Sequence, residues 1–453
     1  MTRYKSYSTY KPSGVEWLGD IPKHWGLRRI KSVIVNSING AWGEDPKDDD
    51  NDVICVRVAD FDYSRLGISP DSLTLRNIDP SQQLSRILLK TDLLIEKSGG
   101  GENQSVGRMV SFNLDKKSVC SNFIARLVIS LEVHHRFLCY VFSAMYSINL
   151  NIRSIKQTTG IQNLDLYSYL CETFAFPSFQ EQDSIANFLD RETTQIDTLI
   201  IKKCELINLL EKKRNAVIAH AVTKGLNFNA SMTDSKIEWL GKIPEHWKIT
   251  RLKFITPQIT VGIVVTPAKY YVDSGVPCLR SLNVKQGKLI YADIVFISSE
   301  SNELHRKSMI FEGDLVVVRT GQPGATAVVD KRFHGANCID LIIVRQSPYF
   351  NSHYLSYLAN SNFAQTQFEL GSGGAIQQHF NVGTAANLQV LAPPLVEQQE
   401  IVNFLNNKVN QMNNLINKVQ ESINLLQQQR SALITAAVTG KIDVREEVER
   451  GAA

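Results

Sequence analysis

One long stretch occurs twice in this chain, and it restricts the fold more than anything else in the sequence. The first copy, FQEQDSIANFLDRETTQIDTLIIKKCELINLLEKKRNAVIAHAVT, runs from about Phe179 to Thr223. The second, LVEQQEIVNFLNNKVNQMNNLINKVQESINLLQQQRSALITAAVT, runs from about Leu395 to Thr439. Glu181 aligns with Glu397, Phe188 with Phe404, Leu210 with Leu426 and Arg214 with Arg430. Neither copy contains Gly or Pro. Pro177 precedes the first and Pro393 and Pro394 the second, while Gly225 and Gly440 follow, which is the punctuation of a helix. The apolar residues Ile185, Leu189, Ile196, Leu199, Leu206, Leu210 and Val217 trace a near-heptad seam in the first copy. Ile401, Leu405, Met412, Leu415, Val419, Leu426 and Leu433 trace one in the second. At 1.5 Å per residue each helix is a rod of about 65 Å. A helix with a single apolar stripe needs a partner, and the nearest is the other copy. The polar faces differ: the first mixes acids and bases, and the second is rich in Asn and Gln, including Asn403, Asn406, Asn407, Asn410, Gln411, Asn413 and Asn414.

The duplication extends beyond the helices. VEWLGDIPKHWGLRRIKSV (15–33) returns as IEWLGKIPEHWKITRLKFI (237–255), offset by 222 residues against 216 for the helices. The chain is therefore two tandem copies of one large unit and not a short-period solenoid. The two Trp of each leading segment are expected to pin it to a core. Between segment and helix, each half carries strand-like runs: 53–61, 92–98, 108–112 and 125–130 in the first, and 276–284, 314–320, 325–330 and 340–346 in the second. Each half continues into an aromatic-bearing helix, 136–145 or 353–368. A mixed α/β globule in each half is the simplest reading. Residues 1–11 are expected to be loose, 41–52 (AWGEDPKDDDND) to form an exposed acidic loop without an apolar anchor, and 224–236 to link the halves.

Composition excludes more than it selects. At 453 residues, 43% hydrophobic and 21% charged, the chain is long enough for several domains with ordinary cores. A net charge of +4 permits a phosphate-binding face without requiring one. The seven Cys form no CxxC and no Cys/His cluster, which argues against a zinc site and a disulfide framework and for reduced thiols in a cytoplasmic protein. No signal-peptide pattern and no run of about 18 apolar residues is present. SGGGENQSVGR (98–108) lacks both the GK[ST] ending of a P-loop and the spacing of a dinucleotide fold. FELGSGGA (368–375) follows polar residues in place of a buried strand, and APPL (392–395) lacks the acid or amide and the aromatic of an amino-methylating motif. No catalytic or metal-ligating constellation stands out, so a recognition or scaffold protein is expected.

Candidate recognition residues cluster in corresponding loops: Arg57, Lys97, Ser98, Asn103, Gln104 and Arg108 in the first half, and Arg280, Arg319, Thr320 and Gln322 in the second. Arg, Asn and Gln can bond base edges in pairs, and Lys and Gly-loop amides suit phosphates. These loops differ between halves while the helices agree, as expected if two halves read different things on a common frame.

The combination of EWLGDIPKHW, EWLGKIPEHW, DLVVVRTGQPGATAVV, GSGGAIQQHF, FPSFQEQDSIANFLD and APPLVEQQEIVNFLN, with the long helices, resembles the specificity subunit of type I restriction-modification systems. The first half departs from the pattern in SGGGENQSVGR and in TTGIQNL, which lacks the double Gly. The resemblance implies an α+β chain of two mixed α/β target-recognition domains in tandem pseudo-twofold repeat, joined by two long helices in an antiparallel coiled coil. The expected divisions are 1–178 and 226–394 for the domains, 179–225 and 395–441 for the helices, and a polar tail at 442–453. It further implies a non-catalytic subunit that reads a split site in double-stranded DNA. Two methyltransferase subunits using S-adenosylmethionine and two restriction subunits using ATP and Mg would bind it, with no cofactor on this chain and no membrane. The rival reading is a coiled-coil scaffold that docks partner subunits and never touches DNA.

Overall fold

The computed structural model describes residues 4–101, 104–158, 160–321, 323–371 and 381–446. The chain forms two compact units, Met1–Cys204 with Gln420–Ala453 and Glu205–Val419. The division passes through both long helices, unlike the expected boundaries at their ends. Each unit is a globular head with half of each helix packed against it.

In the first unit, β1 (Ile34–Asn39), β2 (Leu93–Glu96), β3 (Met109–Ser111) and β4 (Ile124–Ile129) form an antiparallel sheet in the order β3-β2-β4-β1. Strand alternation sends Leu93 and Ile95 into one core and Leu94 into another. Both faces are covered, so the run DLLIE is apolar nearly throughout. One core is completed by α1 (His135–Ser147) and by α2 (Phe179–Lys224) through Ile185, Phe188 and Leu189. The other is completed by a small sheet in which Asp52–Val56 pairs in parallel with Ser118–Cys120. Gly26–Arg29 pairs with Thr173–Phe176, bringing the two ends of the head together just before α2.

The second unit repeats this plan. Its sheet of β5 (Ile259–Val261), β6 (Leu315–Val318), β7 (Thr326–Val328) and β8 (Leu341–Val344) has the order β5-β8-β6-β7, the same as the first when read strand for strand. Val276–Leu279 pairs in parallel with Asn337–Cys338, and Lys248–Arg251 pairs antiparallel with Gln389–Ala392. The helix expected over 353–368 is two, α3 (Ser352–Ala359) and α4 (Asn362–Gly371). They part where the Asn360 side chain turns back to donate to the Thr326 and Ser356 carbonyls. The final helix, α5, is Leu395–Val438. One close approach occurs in both units: a Cβ on Gly40 would lie 2.1 Å from the Cys120 carbonyl oxygen, and one on Gly262 would lie 2.5 Å from that of Cys338. No larger residue fits either position.

Each unit contains an antiparallel helix pair. In the first, Arg430 of α5 meets Asp197 of α2 at 3.0 Å, and Gly440 just past α5 lies against Trp25, whose indole bonds Glu181 at the start of α2. In the second, Arg214 donates to Asn413 at 2.8 Å, and Gly225 just past α2 approaches Glu397. The interior positions step by alternating fours and threes. They are Ile196, Ile200 and Lys203 with Ile423, Leu426, Arg430 and Leu433 in the first unit, and Ile207, Leu210, Arg214 and Val217 with Leu405, Val409, Met412, Ile416 and Val419 in the second. Ile185, Leu189 and Ile401 are buried at the head ends. Leu199, Leu206 and Leu415, expected in the seam, are 48%, 42% and 50% exposed. The seam passes instead through the adjacent Ile200, Ile207 and Ile416, an ambiguity created by neighbouring apolar residues.

Three further expectations are corrected. Residues 1–11 are not loose among those described: Tyr7 is buried and Tyr10–Pro12 pairs with Asp20–Pro22. The 442–453 tail begins with Ile442 and Val444 buried in the first core. The acidic loop does have an anchor, because Arg76 lies over the Trp42 ring, donates to the Trp42 and Gly43 carbonyls and pairs with Asp45.

Candidate nucleic-acid interface

In the first unit the chain leaves β2 into the loop 97–101, which carries the candidate recognition residues Lys97 and Ser98. Ser98 donates to Asn163 at 2.8 Å. Lys97 donates its backbone N–H to the Phe123 carbonyl, and its ammonium makes no hydrogen bond or ion pair among the described residues. Gln104 is exposed and pairs through its backbone with Gly101. Arg108 points elsewhere, its guanidinium lying 4.4 Å from the Tyr63 ring centroid and 4.7 Å from that of Tyr146. Arg57 starts a short turn in which its N–H donates to Asp60 at 2.7 Å and its guanidinium meets the same carboxylate at 2.8 Å. Asn103 lies outside the described residues.

Arg57 and Ser98 share one cleft of about 460 Å³, also lined by Trp42, Glu96, Asn122 and Phe123. Lys97, Gln104 and Arg108 do not line it. Glu96 is its unusual member. The carboxyl is 2% exposed, on the same strand face as Leu94, and Oε2 has no hydrogen-bond partner among the described residues. Burial pushes its pKa up to about 7, against the opposing pull of Arg108 and of the Tyr63 hydroxyl. The sequence held one signal for it, an acid closing the strand LLIE where the other copy has LVVV.

In the second unit Arg280 repeats the Arg57 turn, with Asn283 in place of Asp60: its N–H donates to Asn283 at 2.9 Å and its guanidinium to the Asp293 carbonyl at 2.6 Å. Arg319 and Thr320 are brought together on one carboxylate, Asp340, at 2.6 and 3.1 Å. Gln322 lies outside the described residues, as does GSGGAIQQHF beyond Gly371. β-register fixes the correspondence of the heads. Glu96 faces Ile124 and Val318 faces Leu341, so Glu96 corresponds to Val318 and Phe123 to Asp340. Neither Asp340, Phe123 nor Trp42 was singled out from sequence. Among the described residues no group of three or more His, Cys, Asp or Glu could hold a metal ion, and no helix is long and apolar enough to cross a membrane.

Residues 251–425 match the family described as type I restriction modification DNA specificity domain. The chain is 23% identical over 312 residues to the type I restriction enzyme MjaVIII specificity subunit of Methanocaldococcus jannaschii, covering 65% of this chain and 68% of that one. It is 25% identical over 261 residues to the EcoKI specificity subunit of Escherichia coli, covering 57% of this chain and 52% of that one. A chain from a solved type I restriction-modification assembly shares the fold, with a TM-score of 0.72 at 16% identity over 93% of this chain and 99% of that one. Residues 251–425 thus carry a type I restriction-modification DNA specificity domain, and the chain as a whole is similar to type I specificity subunits. The match to the EcoKI subunit spans about half of that protein. In this chain the paired helices have a structural explanation for their shared EQ. Glu181 receives the Trp25 indole and His24, while Gln182 and Gln398 cross-link the helix start to its own head at Pro177, Glu132 and His134, and at Pro393 and Asn351.

Proposed function

We propose that this chain reads DNA sequence for a type I restriction-modification complex, each head contacting one half of a two-part site in double-stranded DNA. Two methyltransferase subunits and two restriction subunits would assemble on it and do the chemistry. S-adenosylmethionine, ATP and Mg would reside on those partners, with no cofactor on this chain, and the complex would work in the cytoplasm. The long helices would serve as the spacer between half-sites.

The observation that carries this reading is the pattern of change between the heads. Strand order, Gly40 and Gly262, and the Arg57 and Arg280 turns are retained, while the positions at the ends of β2 and β6 change chemical type. A scaffold that only docks partners has no need to vary there. One good base contact supplies about 1–3 kcal/mol of discrimination. A small head makes only a few, so joining two raises specificity without enlarging either.

The test is retention of duplex DNA by the assembled methyltransferase complex across a salt series. A DNA reader holds a site-bearing duplex more tightly than a scrambled one, with log affinity falling linearly in log salt. Equal, negligible retention of both duplexes would leave the scaffold reading in its place.

A further inference from the structure

The Glu96 carboxyl is buried, its Oε2 makes no hydrogen bond among the described residues, and the polar groups that act on it are the Arg108 guanidinium and the Tyr63 hydroxyl. Buried ionisable groups are normally paired, because leaving one without a partner is costly. The same head shows the normal case four residues earlier, just before the strand, where Asp92 meets Arg126 at 2.7 Å. The second head shows that the position needs no acid, since Val318 occupies it within an apolar core. The fold of a head thus does not require an acid at this position, and Glu96 lines the cleft that also holds Arg57, Ser98 and the exposed ring of Phe123.

We infer that this cleft is a base-reading site specific for cytosine, entered edge first, with the cytosine 4-amino group donating to Glu96. The chemistry follows from the groups present. A carboxylate offers acceptors and suits the cytosine amino donor, whereas adenine, with a donor beside an acceptor, suits an amide side chain. Guanine and thymine present acceptors in the major groove and would be repelled by the ionised carboxylate. The guanidinium of Arg57 and the Gly99–Gly100 backbone at the mouth suit the adjoining phosphate. The Phe123 and Trp42 rings supply apolar surface for the base. The inference rests on the DNA-reading function proposed above and adds the identity of one base and the residue that reads it.

The test uses the methyltransferase complex assembled with the wild-type chain, with Glu96→Val and with Glu96→Gln. The recognised motif comes from sequencing methylated DNA, and affinity is then measured for duplexes with each motif position changed in turn. The wild-type complex should require cytosine at one position of one half-site. Glu96→Val should lower discrimination there by about tenfold or more and leave the other half-site unchanged. Its Tm should hold or rise, because the variant carries the residue of the other head. Glu96→Gln, which keeps the shape, should shift preference at that position from cytosine to adenine. Unchanged discrimination in both variants overturns the assignment, as does a wild-type motif with no cytosine dependence that Glu96→Val relaxes. A fall in Tm for both variants with base preference intact gives the carboxyl a structural role and also overturns it. If the wild-type complex retains no duplex at all, the functional reading itself fails, a result distinct from failure of the cleft.

Discussion

The two heads solve the same folding problem with their carboxylates in different places. In the first, Glu96 lines the cleft with its Oε2 unbonded among the described residues, and Phe123 lines it too. In the second, the corresponding positions are Val318, buried in an apolar core, and Asp340, which already holds Arg319 and Thr320. The helices differ in a related way. Asp197 opposite Arg430 becomes Asn413 opposite Arg214, and Asp190, bonded to Tyr140 and paired with Arg136, becomes Asn406, bonded to Tyr357. The Asn enrichment of the second helix thus includes replacements of acids at positions that keep their hydrogen bond. What the difference teaches is which parts of the duplicated unit are frame and which are free to change. Strand order and the helix-start Gln are frame; the groups at these two positions are not.

The largest effect should come from a device both heads share but build differently. Asp92 pairs with Arg126 on β4, and Asp314 with Arg345 just beyond β8, both couples being almost fully buried. Arg126→Ala or Arg345→Ala should each destabilise its own unit by about 3–5 kcal/mol, since an uncompensated buried charge remains. Denaturant unfolding checks this, with the larger loss at Arg345, which also donates to the Met309 and Lys307 carbonyls. A loss below 1 kcal/mol in either would break the claim that the heads are equivalently braced.

Exchanging Glu96 and Val318 comes next. Val318→Glu should destabilise the second unit by about 3 kcal/mol at neutral pH, the scale set by moving a carboxyl from its ordinary range to about 7 as at Glu96. The pH sign is opposite to that of a salt-bridged acid. A carboxyl whose pKa is raised by folding favours the native state at low pH and loses that advantage as pH rises from its unfolded value through about 7. Glu96→Val should therefore flatten the stability–pH curve of the first unit between pH 5 and pH 8, read by thermal melts across that window.

The seam gives a sharper contrast within one helix. Ile423→Ala, at a buried position, should cost about 2–4 kcal/mol, whereas Leu415→Ala, at an exposed one, should stay within about 0.5 kcal/mol. The smallest effect is expected for Asp197→Asn, under about 1 kcal/mol, because Asn413 shows the amide accepting from the matching arginine. Burial raises the Asp197 pKa despite Arg430, so removing its charge also removes a desolvation cost. A loss of several kcal/mol would show that the two crossings are not interchangeable.

The long helices and the duplication were legible because 3.6-residue periodicity and repeated punctuation survive divergence. The central strands were legible because a sheet covered on both faces gives unbroken apolar runs such as Leu315–Val318. The seam register was not, because Leu199–Ile200, Leu206–Ile207 and Leu415–Ile416 offer two apolar choices one residue apart, and only packing selects between them. The edge strand β1 mixes apolar with polar residues and β5 has only three residues, so neither carries such a run. The cleft was half legible. Arg57 and Ser98 stand out by type, but Trp42, Glu96 and Phe123 come from three separate segments that only strand pairing joins. Arg108 looked like a loop cation and is instead stacked on Tyr63 and Tyr146, a placement set by residues far away in the chain.

Division of labour between the heads is tested most directly by sequencing methylated adenines in cells that carry the complex with changes in one head at a time. Substitution of Arg319 and Thr320 should alter one half of the methylated motif and leave the other intact, and Glu96→Val should do the reverse. Both halves changing together under either substitution, or neither changing at full methylation, would contradict it.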